Sequence, residues 1–229
     1  MAAVPATRFI WSIDMGDLAA THVLVMAKAP VAGRVKTRLC PPCTPQEAAA
    51  VAEAALADTL EAVARSTADR RVLALDGEPG PWLPPGFEVI AQADGPLSGR
   101  LAAAWARVGG PGVQVGMDTP QVTTAVLDAS LARLLDERTD AVLGFAEDGG
   151  WWAIGFREPC AGAFTGVPMS AVDTGARQLE RLRELGLRVA MLEPQRDLDT
   201  IDDAFAIAAL APGTGTAAAV RRLQLHVDA

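Results

Sequence analysis

Short apolar runs alternating with amphipathic stretches predict an α/β protein, a mainly parallel sheet covered by helices on both faces with one antiparallel element. Three observations carry this. Runs such as "HVLVMAK", "RRVLALD" and "DAVLGFAED" are apolar enough to be buried on both sides. Stretches of helical periodicity separate most of them. By contrast, only the turn around Gly149-Gly150 stands between "DAVLGFAED" and "WWAIGF", too few residues for a crossover, so that pair must be antiparallel.

The elements follow in order. "HVLVMAK" reads as a buried strand that runs into the loop "APVAGRVKTRL". A helix then opens at Thr44, with Pro45 in its first turn and Glu47 completing a capping box; Ala52, Leu56 and Val63 line its apolar face. "RRVLALD" and "FEVIAQ" are strands separated by the turn-rich "GEPGPWLPPG". "SGRLAAAWARV" is a helix and "GVQVGMD" a strand. The next helix shows Leu127, Leu131 and Leu134 on one side. After the antiparallel pair come the helix "DTGARQLERLRELG", the strand "LRVAMLE" and a last helix, "TIDDAFAIAALA", with Thr200 and Asp203 at capping spacing. The expected organisation is an N-terminal extension over residues 1–21, in which Met15 offers an alternative start, and one domain over 22–229.

Composition narrows the function classes. The chain has 229 residues, a formal net charge of -8 and a pI near 4.8, so nucleic acid and anionic membranes are poor partners for its surface. No apolar tract is long enough for a membrane span, and the N-terminus lacks the pattern of a secretory signal. Cys40, Cys43 and Cys160 cannot build a disulfide framework, which points to the cytoplasm. "CPPC" has redox-motif spacing, but it follows a loop and carries two prolines instead of opening a helix.

Against that acidic background, "AKAPVAGRVKTRL" holds Lys28, Arg34, Lys36 and Arg38 with no acid among them. The protein's two lysines are both here. Random placement among twenty basic positions would do this roughly 3% of the time, so a demand for an ammonium is indicated. If "RVKTRL" runs extended, Arg34, Lys36 and Arg38 project to one side. Three converging cations suit a polyphosphate, beyond the carboxyl end of a strand where α/β sheets bind ligands. The plain alternative is a solvated basic loop.

Three acidic stretches complete the candidates. In "GVQVGMDTP", Asp118 stands just past a buried strand and suits Mg²⁺ bound through one carboxylate, phosphates and water; otherwise it caps the next turn, as Thr119 or Thr123 also can. In "RDLDTIDD", Asp197 and Asp199 alternate along an extended segment, and Asp202 and Asp203 favour the following helix dipole. "AEDGGWWAIGF" offers Glu147 and Asp148 to hydroxyls, glycines for close approach and a tryptophan wall, against the alternative of a hairpin turn with core tryptophans. His22 and His226 read as structural.

"AKAPVAGRVKTRL", "GMDTP", "AEDGGWWAIGF" and "RDLDTIDD", in this order, resemble a bacterial family assigned as glycosyltransferases with the GT-A, nucleotide-diphospho-sugar transferase fold. It is distantly related to phospholactate guanylyltransferase and molybdenum-cofactor guanylyltransferase. The resemblance runs from about Val23 to Ala208. It implies nucleotide or phosphate contacts from Ala27, Lys28, Arg34, Lys36, Arg38, Asp94 and Gly95. On the acceptor or sugar side it implies Arg100, Glu147, Asp148, Gly149, Gly150 and Trp151, with catalytic roles for Lys36 and Asp148. Mg²⁺ (or Mn²⁺) would be held by Asp118 and, by similarity to the nucleotidyltransferase relatives, Asp199. Pro96 and Gly99 stand where the family usually has acids, and Met169 where it has tryptophan, which places acceptor identity in question.

Two reactions fit these residues. The first, which the resemblance favours and which is the expectation here, is glycosyl transfer from a nucleotide-diphospho-sugar to a small acceptor. The other is nucleotidyl transfer from a nucleoside triphosphate to a phosphorylated small molecule with release of pyrophosphate, toward which a single Asp118 in place of an Asp-x-Asp pair leans. A non-catalytic nucleotide-binding protein is a third class. The expected partners are a nucleotide sugar or triphosphate and a small acceptor, with a homodimer allowed.

Overall fold

The computed structural model describes residues 20–227. The expected extension over 1–21, including Met15, therefore lies outside the described residues apart from its last two. In chain order the elements are β1 (His22–Lys28), α1 (Pro45–Ala64), β2 (Arg70–Asp76), β3 (Glu88–Ala91), α2 (Leu97–Val108), β4 (Gly112–Gly116), α3 (Thr124–Leu135), β5 (Ala141–Ala146), β6 (Trp151–Phe156), α4 (Thr174–Glu184), β7 (Val189–Gln195), α5 (Ile201–Leu210) and α6 (Gly215–Val227).

The strands form one sheet in the order β3-β2-β1-β4-β6-β5-β7. β3, β2, β1 and β4 run parallel, and β6 is antiparallel to both β4 and β5, as the short "EDGG" connection requires. β7 pairs parallel with β5 at the sheet edge, where Pro194 costs no ladder bond.

Period-two alternation divides the core. Val23, Val25 and Ala27 of β1 face one layer with Leu56, Leu60, Leu127 and Leu131 of α1 and α3. Leu24 and Met26 face the other with Leu101, Trp105 and Leu182 of α2 and α4. Each strand is therefore apolar on both faces, which is why the runs do not alternate with polar residues. His22, at the end of β1 remote from the loop, is fully buried edge-on to Trp105, with ring centroids 5.2 Å apart. Gly112 leaves room for its ring; a Cβ there would overlap the imidazole.

Local signals account for most helix starts. The Thr44–Glu47 and Thr200–Asp203 capping boxes both form. Helix α6 departs from the sequence reading, which ended with the helix before it. Thr214 caps this helix locally, accepting from Ala217 N–H at 3.1 Å, and Asp58 of α1 adds a cap from outside, accepting from the backbone N–H groups of Gly215 and Thr216 at 2.9 and 2.7 Å. Buried Leu39, Val51, Ala55, Ile207 and Val220 fill the seam between α1, α5 and α6. Among the described residues no helix is long and apolar enough to cross a membrane.

Candidate active site

Strand order reverses between β1 and β4: from β1 the chain moves outward through β2 and β3, then returns to add β4 on the other side. Ligands of open α/β sheets bind at such a reversal, beyond the carboxyl ends of the strands. The loop after β1 and Asp118 after β4 meet there.

The loop is not extended. Lys36 adopts a left-handed conformation, φ 47° and ψ 37°, and Thr37–Leu39 form a 3-10 turn. The expected alternation therefore fails, because Val35 and Leu39 are anchored in the core and the chain must coil between them. Arg34, Lys36 and Arg38 nevertheless line one lobe of a cleft, together with Ala27 and Lys28.

Two of these cations have acidic partners. The Lys36 side chain, 6% exposed, places Nζ 2.6 Å from Oδ1 of Asp118 and also donates to the Leu198 carbonyl. Arg38 pairs with Asp199. Lys28 and Arg34 are exposed and form no ion pair among the described residues. Asp118 caps nothing: Thr123 takes the cap of α3, accepting from Val126 N–H. The Asp118 carbonyl accepts from Leu198 N–H at 2.7 Å, so the loop, the end of β4 and the segment before α5 are held together at one point.

The cleft has two lobes, of about 450 Å³ on the loop side and about 820 Å³ on the other. Asp118 and Asp199 line both. Asp148, Gly150 and Trp151 line the larger lobe, where Met169 also stands. Asp148 Oδ1 accepts from Gly150 N–H at 2.8 Å. Gly149, at φ 92°, lies against the Val172 carbonyl, where a Cβ would overlap it. This contact packs the 149–150 turn onto the segment before α4, and Gly175 N–H donates to the Gly149 carbonyl at 2.8 Å. Trp152 also borders this lobe but is buried in the core, its indole N–H donating to the Glu193 carbonyl, whereas Trp151 is half-buried.

Other expected residues fall elsewhere. Glu147 pairs with Arg196 at 2.6 Å and does not line either lobe. Asp94 and Gly95 lie in the exposed turn between β3 and α2, also outside the lining. Arg100, assigned to the acceptor side, lines the loop lobe instead. The helix α2 that carries it packs beside β1 and β2, which directs the guanidinium toward Asp76 and Gln92.

Several lining residues have no role in the sequence reading, among them Gln92 and Asp197. Gln92 donates to the carbonyls of Ala27 and Ala74 at 2.8 and 2.9 Å and accepts from Arg100 at 2.9 Å, a staple with no sequence signal. Asp197 enters the larger lobe beside Asp199, and its two-residue spacing was a readable sign. Burial, then the charges of Asp118 and Asp148, push its carboxyl up to about 7, with Lys36 opposing.

As a donor set for Mg²⁺ these residues fit a particular kind of site. Among the described residues no group of three or more histidine, cysteine or acidic side chains is placed to cage a metal. Asp118 and Asp199, both open to the cleft, instead suit an ion that takes one or two carboxylates and completes its octahedron with phosphate and water.

Residues 47–171 match the family described as "Uncharacterized protein conserved in bacteria (DUF2064)". Among solved structures, a protein of Desulfovibrio desulfuricans G20 provisionally assigned as a nucleotide-diphospho-sugar transferase superposes with a TM-score of 0.81 at 26% identity, over 90% of this chain and 95% of that one. A cytidylyltransferase from Leptospira borgpetersenii serovar Hardjo-bovis gives 0.54 at 12% identity, covering 91% and 95%. A CMP:2-keto-3-deoxy-manno-octonic acid synthetase complexed with CTP gives 0.53 at 12%, covering 85% and 99%. At such identity the last two show the fold alone. No curated protein matches the sequence. The sheet order, the cleft at its reversal and these likenesses agree on the nucleotide-diphospho-sugar transferase fold, and by the family match the chain belongs to the bacterial DUF2064 family.

Proposed function

We propose that the protein is a Mg²⁺-dependent (or Mn²⁺-dependent) transferase that moves a glycosyl group from a nucleotide-diphospho-sugar to a small acceptor. The observation that carries this is the meeting of one basic loop with Asp118 and Asp199 across a single cleft at the strand reversal. The likeness to the Desulfovibrio protein supports it.

In this reading Lys28 and Arg34 take the oxygens of the donor diphosphate, and Lys36 and Arg38 stand where its charge increases during transfer. Asp118 and Asp199 would hold Mg²⁺, which when bound helps neutralise the departing diphosphate. Asp148 accepts a hydrogen bond from the acceptor hydroxyl and takes its proton as that oxygen bonds to the anomeric carbon. The bond from this carbon to the β-phosphate oxygen breaks, and the nucleoside diphosphate leaves with the electron pair.

Nucleotidyl transfer is the second reading, favoured by the lone Asp118 after β4. The products separate the two. Incubated with Mg²⁺ and a panel of nucleotide sugars, UTP and GTP, the protein is expected to release nucleoside diphosphate. Pyrophosphate release would replace this reading with the second. Nucleotide binding with neither product would leave a non-catalytic nucleotide-binding protein.

A further inference from the structure

The charges lining the cleft are sorted by sign. Charged residues confined to the loop lobe are Arg34, Lys36 and Arg100, all cations. Those confined to the larger lobe are Asp148, Asp197 and Asp203, all carboxylates. The seam common to both carries two of each, Lys28 and Arg38 with Asp118 and Asp199. Arg196, outside the lining, compensates Asp203 at 3.4 Å, but Asp148 and Asp197 form no ion pair among the described residues. A divalent ion at the seam would be offset by the donor's own diphosphate, so the unpaired Asp148 carboxylate keeps the larger lobe negative with the donor in place.

The rest of that lobe's wall combines apolar side chains with Gln114, Ser170 and three threonines. Half-buried Trp151 and Met169 face it, and Val172, 87% exposed, stands at its rim. Such a surface rewards a ligand with an apolar face, and carboxylates beside it accept from hydroxyl or ammonium groups. A phosphorylated ligand would meet like charge there, because the cations of the seam, Lys28 and Arg38, are engaged by the donor diphosphate in this reading.

We propose that the acceptor is an uncharged or cationic hydroxyl compound with an apolar face, and that phosphorylated small molecules are rejected. This rests on the transferase reading and deepens it, because an acceptor without phosphate lacks the phosphate nucleophile that the second reading requires.

The test uses the full chain with Mg²⁺, UDP- and GDP-sugars, and matched acceptor pairs: glycerol and glycerol 3-phosphate, ethanolamine and phosphoethanolamine, 4-hydroxybenzyl alcohol and its phosphate ester. Donor binding is followed separately by thermal shift. The expected result is acceptor-stimulated release of nucleoside diphosphate by unphosphorylated members, at least about tenfold over their partners. Val172→Lys, which adds a cation at the rim, should narrow that ratio several-fold. Equal or better use of the phosphorylated members, no response to any unphosphorylated member, or an unchanged ratio in Val172→Lys overturns the proposal. If the donor shift persists in those cases, the nucleotide reading survives; if no nucleotide shifts the protein, both fall.

Discussion

At the scale of single residues, Lys36 is the most constrained charge in the cleft, because its ammonium serves Asp118 and the Leu198 carbonyl from a left-handed backbone position. Lys36→Ala is expected to weaken binding of a nucleoside diphosphate about tenfold or more while leaving nucleoside binding little changed. Equal affinities for wild type and variant in titration calorimetry would remove the residue from the phosphate site. Lys36→Arg should not restore affinity, since a planar fork cannot replace a point charge held between two oxygens. His22 supplies a prediction in pH. Burial first, then the Arg70 charge, lower its pKa from 6.5 to about 4. The unfolded chain therefore takes up a proton as pH falls through 6.5 while the native protein does not, and stability drops across that window until about pH 4. The loss is at most about 3 kcal/mol. Asp197, pushed up to about 7, works in the opposite sense over the same range, gaining relative stability as pH falls. Only the comparison of wild type with His22→Leu isolates the histidine: on going from pH 7.5 to 4.5 the variant's urea midpoint should move toward greater stability relative to that of wild type. Identical pH dependence would refute it.

At the scale of elements, what could be read in advance depended on whether a signal was local. The start of α1 was legible because Thr44, Pro45 and Glu47 supply cap, first turn and reciprocal bond within four positions. The β5–β6 pairing was legible from a gap too short for any crossover. Helix α6 went unread although Thr214 supplies a local cap; its second cap, Asp58, lies far away in sequence. Asp58→Ala is expected to cost about 1–2 kcal/mol, measured by chemical denaturation, and to raise amide exchange in the first turn of α6. Unchanged exchange there would mean that the Thr214 cap and packing against α1 hold this helix without Asp58. The loop after β1 shows a mixed outcome. Its chemistry was legible in residue types, but its coiled path was set by burial of Val35 and Leu39, which charge spacing does not reveal.

At the scale of the whole molecule, the alternation of strands and helices predicted the layers, and the order of the sheet then fixed where β1 and β4 end together. Asp118, Asp148 and Trp151 could be picked out because each follows or opens a strand at the sheet's carboxyl rim or its antiparallel insertion. Which lobe Arg100 lines could not be read, because nothing in its own segment tells which side of the reversal α2 will cover. Gln92 went unseen for a related reason: its three hydrogen bonds join β1, β2 and α2, and none involves a sequence neighbour. The contact of Lys36 with Leu198 has a consequence at this scale. An ammonium already satisfied by a carboxylate and a peptide oxygen can engage an incoming phosphate only by loosening one of those grips. Recognition at the seam is then a change of partners, and the segment leading into α5 would feel the arrival of ligand through the same nitrogen that greets it.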